Sequence, residues 1–124
     1  MDLSYALTPF LAWLVAGVLK FLVNSLRAGK LAFGLIGYGG LPSNHSAIVS
    51  STAALIAFKE GLAHPAFGVA VTLAINALVP NSPERPWLRE RMGHTRLEIA
   101  AGIAVGIAVA TAVHELLTWL AARP

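Results

Sequence analysis

Polar residues are sparse along this chain and gather in a few short stretches, leaving four apolar segments between them. The first runs from Tyr5 to about Leu26. At about 1.5 Å per residue a helix of that length crosses a bilayer core. The second runs from His45 to about Leu62 and is rich in small residues (Ser46, Ser50, Ser51, Ala53, Ala54). Such residues allow close helix approach in lipid. The third, from Ala66 to Val79, is short for a span and closes at Pro80. The fourth runs from about Leu97 to Leu120, with Gly102 and Gly106 as a small-xxx-small packing face and Trp119 suited to an aromatic belt. The pattern predicts an all-α fold, an integral membrane bundle of about four apolar helices forming a single domain over residues 1–124.

Composition agrees with the pattern. The 124 residues are 56% hydrophobic and 12% charged, and the mean hydropathy is +0.69. A soluble domain carries about 25% charged residues, so too little charge is present to coat a water-exposed surface. The absence of cysteine excludes disulfides and thiolate metal sites. The net charge of +3 comes largely from arginines in one connector. No basic stretch is interleaved with stacking aromatics, so nucleic acid is not an expected partner. The N-terminus lacks the basic region of a cleaved signal peptide, having Asp2 instead.

Charge also predicts orientation. Arg27, Lys30, Arg85, Arg89, Arg91 and Arg96 fall in the connectors between segments one and two and between three and four. Only Lys59 and Arg123 fall on the opposite side. By the positive-inside rule the basic connectors face the cytoplasm and both termini face out.

That orientation brings the candidate chemistry to one membrane face. Lys20, Asn24 and Arg27 share a helix face at the end of the first segment. The turn Gly39-Gly40-Leu41-Pro42-Ser43-Asn44-His45-Ser46 opens the second, with Ser43 or Asn44 placed to cap the helix. Gly93-His94-Thr95-Arg96-Leu97-Glu98 opens the fourth. On a helix His94 and Glu98 are i and i+4, so the carboxylate can orient the imidazole and raise its basicity. A surface ion pair at a helix start, worth under about 1 kcal/mol, is the plainer reading of that pair. Two histidines entering from one face beside lysine and arginine suit an anion such as phosphate, with one to attack and one to protonate the leaving oxygen.

These residues resemble the type-2 phosphatidic acid phosphatase superfamily, which also contains the vanadium haloperoxidases. They are most similar to its short divergent bacterial branch, called acid phosphatase/vanadium-dependent haloperoxidase-related. Lys20 and Arg27 keep the spacing of the first motif, with Ala28 in place of its proline. Pro42-Ser43-Asn44-His45 resembles the second motif, with Asn for Gly, and His94-Thr95-Arg96-Leu97-Glu98 resembles the end of the third, with Glu for Asp. The arginine six positions before the third-motif histidine is replaced by Leu88, and Arg89 is the nearest substitute.

The resemblance implies that His94 attacks phosphorus, Glu98 orients it and His45 protonates the leaving group. It implies phosphate binding by Lys20, Arg27, Ser43 and Arg89, with no metal and no cofactor. The expected function is hydrolysis of a lipid phosphomonoester or diphosphate at the cytoplasmic face of a multi-pass protein of the bacterial inner membrane. Four short helices bury little surface, which points to a homodimer. Two alternatives remain: an inactive protein that binds anions or lipid phosphates, and a lipid or anion translocator. The translocator requires polar residues through the full bilayer depth.

Overall fold

The computed structural model describes residues 2–35, 40–78 and 95–124. All regular structure among them is helical: α1 (Ser4–Ala28), a single 3-10 turn (Phe33–Leu35), α2 (Asn44–Glu60), α3 (Pro65–Leu78) and α4 (Arg96–Ala121). The boundaries lie within two residues of the apolar segments read from the sequence. The polar connector from Asn81 to Met92 lies outside the described residues.

α2 is the central element and packs against α1, α3 and α4, while α1 also meets α4. Its small residues make this possible. On α4, Gly102, Gly106 and Ala110 are buried at four-residue intervals. A Cβ on Gly106 would stand 2.1 Å from Ser50 Oγ and 2.4 Å from the Ala47 carbonyl oxygen, so α4 lies directly on the backbone of α2. On α1 the same interval buries Ser4, Thr8, Ala12 and Ala16. Ala12, Ala16 and Ala47 form the core, flanked by Val105 and Val109.

The distribution of side chains is inside-out relative to a water-soluble domain. Among the described residues the largest fully buried side chains are Leu55, Thr8, Ser43, Ser46 and Ser51. The large apolar ones face outward: Phe10 is 69% exposed, Leu73 60% and Trp119 51%. An apolar exterior on this scale would drive association in water, whereas lipid solvates it. Several interior hydroxyls are satisfied within their own helices. Thr8 Oγ1 donates to the Ser4 carbonyl at 2.7 Å and Ser51 Oγ to that of Ile48 at 2.9 Å. Local bonding of this kind leaves few groups to hydrate a continuous polar path.

α1 and α4 are long and apolar enough to cross a membrane, consistent with a membrane protein. α2 has 17 residues and α3 has 14, about 26 and 21 Å at ~1.5 Å per residue. Both fall short of the ~30 Å hydrocarbon core. Among the described residues two helices are therefore full-length candidate spans, where the sequence pattern leads to an expectation of four.

The helix ends are tied in two places. At one end Gly29 closes α1 in the left-handed conformation with φ of 65°. The following connector folds back, its Ala32 N–H donating to Ser25 Oγ at 3.0 Å and its Phe33 ring lying 5.1 Å from that of Phe21. At the other end Lys59 of α2 pairs with Asp2 and donates to Ser4 Oγ at 2.8 Å. Lys59 also lies over the Tyr5 ring, 4.5 Å from its centroid, and the Tyr5 hydroxyl donates to Glu60.

The hydrogen bond from Lys59, helped by Ser4, holds the Asp2 carboxyl well below the usual carboxylate range. A lowered folded-state value means that the stability it brings is full above the unfolded value of about 4 and drains as pH falls below it. Asp2→Asn is therefore expected to shrink the gap between the Tm at pH 7 and at pH 3 in detergent. Identical pH dependence in both proteins would show that this pair contributes nothing.

Candidate functional site

The site is built where α1 ends and where α2 and α4 begin. Lys20 and Asn24 are half-buried on α1, and the turn leading into α2 lies on them. A Cβ on Gly40 would stand 3.2 Å from Asn24 Oδ1 and 3.4 Å from Lys20 Cγ. Only glycine lets the turn come this close without displacing its neighbours. Pro42 and Ser43 follow, both buried.

Ser43 is the N-cap of α2, with its Oγ accepting from the Ser46 N–H at 3.3 Å. Asn44 is thus the first helical residue rather than the cap. Ser43 is wholly buried, so its hydroxyl has a structural duty in the cap before any role toward an anion. Its backbone N–H reaches across to α4 and donates to the Glu98 carbonyl at 3.0 Å. His45, the second residue of α2, is exposed at this same end. A helix start of this kind favours negative charge, because its first N–H groups point outward and the helix dipole is positive there.

Glu98 ties α4 to α2 through its backbone carbonyl. It is half-buried in the first turn of α4, and its carboxylate acts electrostatically on Lys20. Its Oε2 accepts from the Thr95 N–H at 3.0 Å while its own N–H donates to Thr95 Oγ1 at 3.2 Å. This is a capping box, in which the hydroxyl and the carboxylate satisfy each other's backbone donors. α4 begins at Arg96, with Thr95 extended at φ −72° and ψ 157° as its N-cap, and the His94 of the expected His94–Glu98 pair lies outside the described residues. A Thr-x-x-Glu pattern before an apolar run is itself a capping signature, and it was legible at Thr95.

Of the residues expected to converge, the structure gathers Lys20, Ser43 and Glu98 and leaves His45 exposed at the same end. Arg27 is exposed in the last turn of α1, two turns or about 10 Å beyond Lys20. His94 and Arg89 lie outside the described residues, as do Arg85 and Arg91. Two asparagines also belong here. Asn24 underlies Gly40, and Asn44 Nδ2 donates to the Trp13 carbonyl of α1 at 3.3 Å. Neither contact has a local sequence signal, since each joins residues far apart in the chain.

With this geometry in place, comparison with known families is informative. The profile of the divergent PAP2 family matches residues 2–79, more than half of the chain. The chain belongs to the divergent PAP2 family. The matched stretch of this PAP2 relative contains Lys20, Arg27, Ser43 and His45, and it ends before Arg89, His94 and Glu98. Membership suggests a PAP2-related, lipid phosphatase-like function or descent to an inactive relative. No curated protein and no solved structure matches the chain.

Proposed function

We propose that the protein hydrolyses a phosphomonoester or diphosphate carried by a lipid, at the cytoplasmic face of a multi-pass membrane bundle. The observation that carries this reading is the meeting of Lys20, the Ser43–His45 turn and Glu98 at one end of the bundle, inside a PAP2-related chain. In the proposed reaction an imidazole nitrogen of His94 attacks phosphorus and the bond to the lipid oxygen breaks. His45 gives that oxygen its proton. Water, deprotonated by His45, then cleaves the phosphorus–nitrogen bond and frees phosphate and His94. Lys20, Arg27 and Arg89 offset the charge on the transferring group, and the first turn of α2 adds its dipole. No metal is required. The test is phosphate release by purified protein across lipid monophosphates and diphosphates, with His94→Ala as control. Release that persists in His94→Ala would count against this mechanism.

A second reading, an inactive protein that binds anionic lipid headgroups, is favoured by two observations. Glu98 already serves as a capping residue, and the family match stops short of the third motif. This reading expects lipid-phosphate binding without release in the same screen.

Arg89 separates the two. It adjoins the position where the superfamily places its third-motif arginine, and here we assign it to the transferring phosphoryl group. Loss of such a clamp costs about 10²–10³-fold in rate, or ~3–4 kcal/mol. Arg89→Ala is expected to fall in that range, with Arg85→Ala near wild type. The reverse order would move the role to Arg85.

A further inference from the structure

Asn44 stands where the superfamily motif has glycine, and its side chain does something a glycine cannot. The carboxamide leaves the first turn of α2 and reaches α1, where Nδ2 donates to the Trp13 carbonyl at 3.3 Å. That carbonyl also accepts its own helix's N–H from Gly17, using its second lone pair. Residue 17, beside the amide, is small. A Cβ there would sit 3.6 Å from Asn44 Nδ2, in ordinary contact, so anything larger than alanine would press on the amide.

The orientation of the amide is forced. Turned over, it would set Oδ1 against the Trp13 carbonyl oxygen, one acceptor facing another. Held as it is, Oδ1 is shielded from solvent and has no hydrogen-bond partner. A buried acceptor without a donor is costly, so the bond to Trp13 has to be worth more than solvation of the amide. One turn further along α1 from Gly17 stands Lys20, on the face where Gly40 rests.

We propose that Asn44 is a positioning residue: its amide clamps the Pro42–His45 turn onto α1 through Trp13, and so fixes the first turn of α2 relative to Lys20. The clamp stands on its own geometry. Its consequence for anion binding rests on the lipid-phosphate reading, and the two are tested separately.

The chain has no cysteine, so an introduced thiol reports alone. Ser46→Cys is the reporter, because Ser46 is 1% exposed, lies on the same turn, and has an Oγ with no partner to lose. Thr8→Cys, fully buried on α1 five residues before Trp13, is the control for general unfolding. Maleimide labelling is measured in detergent-solubilised protein for each reporter alone and combined with Asn44→Ala, Asn44→Asp or Gly17→Ala.

Asn44→Ala is expected to speed labelling of the Ser46→Cys thiol about tenfold, as loss of one net hydrogen bond allows. Asn44→Asp should do at least as much, since a carboxylate oxygen would face the carbonyl. Gly17→Ala should leave labelling unchanged, and the Thr8→Cys thiol should stay protected throughout. Unchanged labelling of the Ser46→Cys thiol in Asn44→Ala overturns the clamp. Equal deprotection of both reporters also overturns it, because the effect is then not local. In a second arm, binding of inorganic phosphate to the reporter-free protein is expected to weaken about tenfold in Asn44→Ala. If the unsubstituted protein binds no phosphate, the lipid-phosphate reading fails while the labelling result still decides the clamp.

Discussion

Gly106→Ala is expected to destabilise the bundle by about 1–2 kcal/mol, although alanine is the better helix former. Helix propensity alone would favour the change by up to ~1 kcal/mol. Packing opposes it more strongly. The added methyl would stand 2.4 Å from the Ala47 carbonyl oxygen and 2.9 Å from the Ser51 nitrogen, both backbone atoms of α2. Ser50 Oγ can rotate away, but a helix backbone cannot. Relief therefore requires α4 to move off α2 by about 1 Å, and overpacking of this kind costs roughly 1–3 kcal/mol. Gly102→Ala meets the Ser43 carbonyl oxygen at 2.4 Å and should behave alike, with the added effect of pushing on the cap of α2. Gly68→Ala is the control, because nothing lies within 4 Å of a Cβ there. Thermal unfolding in detergent should place Gly68→Ala at or above wild type and both α4 variants below it. Equal stability of Gly106→Ala and Gly68→Ala would mean that α4 does not lie on α2 as described.

The same residues show which contacts the sequence revealed. Glycines four apart in an apolar run have no use in a lone helix, so Gly102 and Gly106 announced a packing face before any partner was known. The start of α2 was equally legible, because Ser43 is a local signal acting on its own segment. What the sequence could not supply was the partner of each face. Gly40 against Asn24, and Asn44 against Trp13, depend on how the connector returns to α1, and no periodicity encodes that path. At Glu98 two local signals overlap. Its spacing from His94 suited an i, i+4 pair, and its spacing from Thr95 suited a capping box. The cap is formed, because it satisfies backbone donors that have no other partner within the first turn, while His94 lies outside the described residues.

The final expectation is that His94, His45 and Glu98 fail differently when replaced. His94→Ala should abolish turnover and any acid-labile phosphoenzyme, since in the proposed reaction no other group attacks phosphorus. His45→Ala should slow a lipid alkoxide leaving group far more than an aryl phosphate, whose phenolate departs without a proton. For Glu98 the capping box sharpens the test. Glutamine also completes such a box, so Glu98→Gln keeps the start of α4 while removing the negative charge near Lys20. Glu98→Ala removes the charge and the cap together, and should cost about 1 kcal/mol of stability besides. If the charge serves catalysis, both variants lose turnover and only Glu98→Ala loses stability. If Glu98 is purely a cap, Glu98→Gln turns over like wild type. Turnover, phosphoenzyme and Tm, measured for each variant on a lipid phosphate and an aryl phosphate, separate these outcomes. A phosphoenzyme trapped in His94→Ala would refute the assignment of the nucleophile. Equal losses for His45→Ala on both substrates would leave that residue as a phosphate ligand without a role in proton transfer.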